Sequence, residues 1–161
     1  MIYFKSYSTE LGKVAVAAGP KGLVSVQFYD AQRPLCPKDD WRSGATELTE
    51  LAAQQLREYF AGQRRQFQLP LAPPGTDFQR RVWDALLQIP YGETRSYGQQ
   101  AQLLGQPRAI RAVGRANGAN PVAVIIPCHR VIGANGSLTG YAGGLSLKAR
   151  LLTLEGAGFK Q

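Results

Sequence analysis

The sequence predicts an α+β protein, in which a small N-terminal domain of strands and one helix precedes a mainly helical C-terminal domain with a helix-turn-helix. Three observations lead to this prediction. The first thirty residues alternate short β-branched and aromatic runs with glycine, helical periodicity replaces this pattern from Thr46 onward, and the proline-rich segment 69–75 interrupts the chain. We therefore expect one domain over residues 1–72 and a second over residues 76–161.

Three short strands followed by one helix make up the first predicted domain. Residues 2–7, 14–18 and 23–28 are rich in strand-forming residues and are separated by glycines, which indicates a small antiparallel sheet. Leucine and aromatic residues at helical spacing between Thr46 and Gly62 predict one helix that covers this sheet.

Two capping signals open the second predicted domain. Thr76 and Ser96 each stand three residues before a glutamine, which is the spacing of a capping box, so each is expected to precede a helix. Apolar residues at helical spacing extend the first of these helices to Ile89 and the second to Leu104.

A third helix is expected to begin at Pro107 and to end near Gly118, after a tight turn at Gly105. A helix pair joined in this way is a helix-turn-helix candidate, although many such pairs bind nothing. One face of the third helix is predicted to carry arginines, with small residues around them that would let the backbone approach a groove closely. These residues are Arg108, Arg111 and Arg115, with Ala109, Ala112, Gly114 and Ala116 around them.

Basic residues are concentrated in the second half of the chain. Residues 1–75 contain nine Lys and Arg against seven Asp and Glu, whereas residues 76–161 contain ten against four. No acidic residue lies between Glu93 and Glu155. A polyanion such as nucleic acid is the partner that this charge favours, and a solvated basic face is the alternative.

Composition excludes several classes of protein. A chain of 161 residues with 44% hydrophobic residues can bury a core, and its longest apolar run, 122–126, is too short to cross a bilayer. The N-terminus lacks the apolar region of a signal peptide, so we expect a cytoplasmic protein. Two cysteines and one histidine are too few for a disulfide framework or a closed zinc site. The sequence also lacks a glycine motif with phosphate-binding spacing, so we expect no nucleotide cofactor.

The segment VIIPCHRV, residues 124–131, places the single histidine of the chain directly after Cys128. A lone cysteine is usually a small buried hydrophobe, and Cys36 fits that description or a surface loop. At Cys128 the neighbours His129 and Arg130 can favour the thiolate, which is the form that attacks carbon. Adjacent side chains of a strand point to opposite faces, so contact between the thiol and the imidazole requires a turn or a bridging water.

A last helix is predicted over residues 145–155, with Gly156 as its stop. Glu155 would then stand at the negative end of the helix dipole, where an acid is unfavourable. A carboxylate that holds His129 in one tautomer would explain this position, and an exposed helix-end glutamate is the alternative. Asn120 could be a simple turn former, and the glycine-rich loop 139–144 could shape a pocket.

Several of these segments together resemble the O6-alkylguanine-DNA alkyltransferase (methylated-DNA–protein-cysteine methyltransferase) family. The resemblance is strong over about residues 76–157, and over residues 1–70 it extends only to size and element order. It implies a ribonuclease H-like N-terminal α/β domain and a helix-turn-helix that binds DNA from the minor groove. The segments that carry it are IRAVG at 110–114, NP at 120–121, VIIPCHRVIG at 124–133, GYAGG at 140–144 and LEG at 154–156.

The resemblance implies a chemical role for five residues. Cys128 matches the alkyl acceptor, which attacks the carbon attached to O6 of a flipped-out guanine. His129 matches the residue that deprotonates this thiol through a water, and Glu155 matches the carboxylate that orients the histidine. Asn120 matches a hinge asparagine beside the site. Tyr97 matches the tyrosine that helps to rotate the nucleotide and to protonate the leaving base.

The resemblance also implies a DNA surface and a substrate pocket. Arg111 matches the arginine that enters the base stack, with Arg108, Arg115, Ala112 and Gly114 as its neighbours on the DNA-binding face. The lid and wall of the pocket are expected to consist of Pro127, Val131, Tyr141, Ala142 and Gly143.

The implied activity is DNA repair by one irreversible transfer per molecule, from double-stranded DNA carrying O6-alkylguanine to Cys128, with no cofactor and no metal. Activity on O4-alkylthymine and cooperative binding to DNA stay open, and a monomer is expected. Three alternative functions each account for only part of this pattern. An alkyltransferase-like binding protein would have tryptophan at the cysteine position, a helix-turn-helix regulator would leave His129 and Glu155 without a role, and a cysteine hydrolase needs a base that touches the thiol.

Overall fold

The structure, a computed structural model, describes residues 1–160, so Gln161 at the end of the predicted second domain lies outside the described residues. The chain forms two compact units, one made of Met1–Pro74 with Pro121–Ile125 and the other of Gly75–Asn120 with the chain from Ile126 onward. The predicted α+β class is confirmed. The expected division placed residues 121–125 in the second domain, whereas in the structure they cluster with the first unit.

The first unit contains a four-stranded sheet made of β1 (Ile2–Thr9), β2 (Gly12–Gly19), β3 (Gly22–Tyr29) and β4 (Trp41–Ser43). The strand order is β3-β2-β1-β4. The three predicted strands are present and antiparallel, and the fourth, which the sequence did not predict, runs parallel to β1. Tyr7 of β1, the valines and alanines of β2, and Leu23, Val24 and Val26 of β3 are buried in the core.

One helix, α1 (Glu47–Phe60), packs on this sheet as predicted. Thr46 caps its first turn by accepting a hydrogen bond from the Thr49 amide, and the Thr49 side chain accepts one from the Thr46 amide. The Thr49 hydroxyl also accepts a hydrogen bond from the Tyr7 hydroxyl at 3.0 Å, which ties the helix to β1. The start of the helix is therefore fixed by three hydrogen bonds: the two between Thr46 and Thr49, and the one from the buried Tyr7 hydroxyl.

Two later segments pair with the edge strand β3. The Leu23 amide donates to the Pro70 carbonyl at 2.9 Å, and the Val26 amide donates to the Pro121 carbonyl at 2.9 Å. Gly22 permits the first contact, because a Cβ atom there would lie 2.6 Å from the Pro70 oxygen. Val124, three residues after Pro121, has φ 69°, which is a strained value for a β-branched residue.

Four helices form most of the second unit. They are α2 (Asp77–Leu86), α3 (Tyr97–Leu103), α4 (Ile110–Gly118) and α5 (Leu145–Glu155). Two short strands, β5 (Arg95–Ser96) and β6 (Val131–Ile132), pair in parallel. No helix among residues 1–160 is both long and apolar enough to span a membrane.

Both predicted capping boxes are present, and two predicted helix bounds are wrong. Thr76 and Ser96 each exchange hydrogen bonds with the glutamine three residues later. Helix α2 ends at Leu86 rather than at Ile89, which is buried outside the helix. Helix α4 begins three residues after Pro107, because a turn closed by the Ala109 amide and the Gln106 carbonyl comes first.

Candidate active site

Two consecutive tight turns position Cys128 in the second unit. At Pro127 the backbone has φ −84° and ψ 64°, and the Cys128 amide donates to the Ile126 carbonyl at 2.8 Å, which closes a γ-turn. A 3-10 turn over Cys128–Arg130 follows and leads into β6. The thiol and the next side chain are thus not forced to opposite faces as they would be in a strand.

Asn120 holds both the approach to the cysteine and its sulfur atom. Its Nδ2 donates to the Ile126 carbonyl at 2.8 Å and to Sγ of Cys128 at 3.3 Å. Burial raises the pKa of the thiol above its ordinary value, while the Asn120 hydrogen bond and the charge of Lys148 act in the opposite direction. The thiol is therefore protonated at neutral pH, and its attack on carbon requires an acceptor for the proton.

His129, the next residue, has a ring nitrogen that can accept a proton. The ring is fully buried, and its Nε2 lies 2.9 Å from Oε2 of Glu155. Because a carboxylate only accepts hydrogen bonds, Nε2 carries the proton and Nδ1 of the neutral ring is an acceptor. Nδ1 is buried and has no hydrogen-bond partner among the described residues. Burial, with a smaller contribution from the charges of Arg130 and Lys148, lowers the pKa of His129 despite the opposite effect of Glu155, so the ring is neutral at pH 7.

A buried ion pair fixes Glu155 in turn. Arg130 donates from Nε to Oε1 and from Nη2 to Oε2 of this carboxylate, each at 2.9 Å, and the Gly92 amide donates to Oε1 at 3.2 Å. The third guanidinium nitrogen of Arg130 donates to the Ile89 carbonyl at 2.7 Å. This bidentate pairing explains an acid at the C-terminus of α5, because the ion pair outweighs the helix dipole. Glu155 is thus not the exposed helix-end residue of the alternative reading.

Lys148, one of the basic residues counted in the second half of the chain, is a second buried cation. Its side chain is 0% exposed, and Nζ donates to the carbonyls of Val131 at 2.6 Å and Thr139 at 2.8 Å. Burial lowers its pKa to about 8. Lys148 and Glu155 are seven residues apart on α5, and both lie on its buried face.

The predicted lid residues form a turn before α5. The Gly144 amide donates to the Tyr141 carbonyl at 2.9 Å, Ala142 is exposed, and a Cβ atom on Gly143 would lie 2.8 Å from Leu147. The Tyr141 hydroxyl is buried without a hydrogen-bond partner among the described residues, and burial raises its pKa well above the ordinary value. The turn therefore directs one polar atom inward with its hydrogen-bonding capacity unused.

Tyr97 begins α3 and lies beside α4. A Cβ atom on Gly114 would be 3.9 Å from the Tyr97 ring, which is ordinary van der Waals contact. The Tyr97 hydroxyl accepts a hydrogen bond from Oγ1 of Thr139 at 2.9 Å, a contact that the sequence did not predict. The two helices are also joined by a buried pair of amides, in which Gln100 and Asn117 exchange hydrogen bonds of 3.0 and 2.8 Å.

The arginine face of the helix-turn-helix differs from the prediction. Arg111 and Arg115 lie on α4 and are exposed, with Ala112 and Gly114 half-buried between them. Arg108 is exposed as well, but it lies in the turn before α4, so the expected helical face of three arginines is wrong. Within residues 1–160, no group of three or more His, Cys, Asp and Glu side chains could hold a metal ion.

Known proteins of one family are similar to this chain over nearly its whole length. Residues 2–73 match the ribonuclease-like domain and residues 77–157 the DNA-binding domain of 6-O-methylguanine DNA methyltransferase. A methylated-DNA–protein-cysteine methyltransferase of Methanosarcina acetivorans is 48% identical over 97% of this chain and 99% of its own length. A methylated-DNA–protein-cysteine methyltransferase of Mycobacterium tuberculosis is 48% identical over 96% of this chain and 93% of its own length. The crystal structure of Mycobacterium tuberculosis OGT in complex with DNA has a TM-score of 0.87 at 45% identity, covering 96% of this chain and 92% of that one.

Proposed function

The chain belongs to the 6-O-methylguanine DNA methyltransferase family, and from this premise we propose that it repairs DNA by moving one alkyl group from O6 of guanine to Sγ of Cys128. The observation that carries the proposal is the arrangement of His129. Its Nε2 is fixed by Glu155, and its buried Nδ1, on the residue next to the thiol, has no hydrogen-bond partner in the part of the chain that the structure describes.

The proposed reaction begins with proton transfer. A water between Sγ of Cys128 and Nδ1 of His129 takes the thiol proton and passes one on to the ring, and the carboxylate of Glu155 stabilises the imidazolium that forms. The thiolate then attacks the alkyl carbon, a C–S bond forms as the C–O6 bond breaks, and the electron pair stays on the guanine. Tyr97 gives this base a proton. A thioether has no easy route to hydrolysis, so each molecule reacts once, without a metal or cofactor.

The proposed substrate is double-stranded DNA carrying O6-alkylguanine. Exposed Arg108, Arg111 and Arg115 supply positive charge for phosphates and the minor groove, and Arg111 fills the space left by the flipped base. The proposed pocket for the base is lined by Pro127, Val131, Tyr141, Ala142 and Gly143. We propose that one monomer suffices for the reaction, and that it takes place in a reducing compartment such as the cytoplasm, because the thiol must be free.

The experiment that tests this function is intact-protein and peptide mass spectrometry after incubation with a duplex that contains one O6-methylguanine. We expect the Cys128 peptide to gain one methyl group in place of hydrogen, up to one per protein. Cys36 is exposed and serves as an internal control for non-specific alkylation, so its peptide should stay unchanged. A second control is a duplex with unmodified guanine. Binding to the lesion without a change in mass would overturn the proposal and identify a protein that only recognises damage.

A further inference from the structure

The contact between Thr139 and Tyr97 joins two distant parts of the second unit. Thr139 lies between β6 and α5, Tyr97 is the first residue of α3, and 42 residues separate them in the chain. Their hydroxyl oxygens are 2.9 Å apart, with Thr139 as the donor. Both side chains are half-buried, so the bond is partly shielded from water.

Lys148 holds Thr139 in place from the other side. Its Nζ binds the carbonyls of Val131 and Thr139, the two ends of the segment 131–139, from a fully buried position on α5. A lysine ammonium has three N–H donors and the neutral amine keeps two, so both carbonyls can stay bound on either side of its pKa of about 8. The two hydrogen bonds from Lys148 therefore keep the Thr139 hydroxyl next to Tyr97 at pH values on both sides of 8.

We propose that Thr139 is a positioning residue, which orients the Tyr97 hydroxyl toward the leaving base and stabilises the phenolate that remains. A phenol has one proton to donate. Because Thr139 donates to the phenol oxygen, the phenol proton is directed elsewhere. When the C–O6 bond breaks, Tyr97 transfers this proton to the guanine, and the hydrogen bond from Thr139 strengthens as negative charge develops on the phenol oxygen. Thr139 itself loses no proton. This role rests on the proposed function.

The test compares four variants: Thr139→Val, which keeps the shape and removes the hydroxyl, Thr139→Ser, which keeps the hydroxyl, Tyr97→Phe, and the double variant. Single-turnover methyl transfer is measured at saturating O6-methylguanine duplex, together with the Kd for that duplex and the thermal unfolding temperature. We expect Thr139→Val to slow transfer about fivefold, which corresponds to about 1 kcal/mol, with an unchanged Kd. Thr139→Ser should transfer at close to the wild-type rate. In the Tyr97→Phe background the valine should have no further effect.

A second readout separates this role from a structural one. Iodoacetamide alkylates Cys128 with iodide as the leaving group, so this reaction needs no proton from Tyr97, and its rate should be the same in Thr139→Val as in wild type. Should Thr139→Val unfold at the assay temperature, Thr139→Ala gives the same comparison.

Two results would overturn the role of Thr139 while leaving the proposed function intact. The first is a methyl-transfer rate for Thr139→Val equal to that of the wild-type protein. The second is that Thr139→Val slows transfer by the same factor in the wild-type and in the Tyr97→Phe background. Absence of methyl transfer in the wild-type protein is a different outcome, because it would overturn the proposed function and this role with it.

Discussion

Replacing Glu155 by glutamine should destabilise the protein strongly, because this carboxylate accepts hydrogen bonds from three directions in a dry environment. The change keeps the shape and removes the charge. Arg130 would lose the partner of both its 2.9 Å bonds, and the new amide nitrogen would face an N–H donor of Arg130 or of His129. Removing one partner from a buried ion pair costs about 3–5 kcal/mol. For a chain of this length, about 2–4 °C per kcal/mol gives a fall in Tm of about 6–20 °C.

Thermal unfolding followed by circular dichroism measures this change, and Glu93→Gln is the matched control. Glu93 also pairs with an arginine, at 3.2 Å, but its side chain is 54% exposed, so its replacement should change stability by less than about 0.5 kcal/mol. Methyl transfer by Glu155→Gln should be slower at temperatures where the variant is folded, because His129 loses the acceptor that fixes its tautomer. A loss of stability below about 1 kcal/mol for Glu155→Gln would show that the ion pair is not the buried anchor described above.

Three further predictions concern pH, a helix end and the paired amides. Burial lowers the pKa of His129 below the ordinary value of about 6.5. Between the lowered pKa and about 6.5, the unfolded chain therefore binds more protons than the folded one. Stability should decline as pH falls below about 6.5, and the transfer rate should decline at a lower pH, where the ring of the folded protein becomes protonated. A single-turnover pH profile with its acid limb above pH 7 would contradict this. Gly156→Ala should cost about 1 kcal/mol in an unfolding titration, because φ is 74° and no atom lies within 4 Å of a Cβ there. Gln100→Leu or Asn117→Leu should each cost about 1–3 kcal/mol, and the double variant should cost less than their sum; additive costs would rule out coupling.

Local signals in the sequence were sufficient for most of the fold. Capping boxes at Thr76 and Ser96 marked two helix starts correctly because the bonds that define them lie within four residues. The third helix start was wrong, since the preference for proline in a first turn did not reveal the separate turn that closes at Ala109. Strand β4 was missed because three residues, Trp41–Ser43, show no periodicity, and its pairing with β1 is long-range.

The burial of two cations could not be predicted from local pattern. Arg130 and Lys148 counted toward the basic half of the chain, and charge alone gave no reason to separate them from the exposed arginines of the helix-turn-helix. Their partners lie elsewhere in the sequence: the carboxylate of Glu155 is 25 residues from Arg130, and the carbonyl oxygens that hold Lys148 are 17 and 9 residues away. A pattern within one helix turn contains no information about such partners.

These two cations also explain how a buried site could separate charge in the proposed reaction. Proton transfer from Cys128 to His129 leaves the total charge of the site unchanged but creates an anion and a cation in a poorly solvated place, which is costly unless each finds a compensating charge. The imidazolium would have Glu155 within 2.9 Å, and the positive charge of Lys148 favours the thiolate. Arg130 holds Glu155 in place through two hydrogen bonds without occupying Nδ1 of the histidine. Lys148 is buried and has no carboxylate partner among residues 1–160, which is unfavourable for the resting protein. A thiolate that exists only during transfer is the anion that its charge would stabilise.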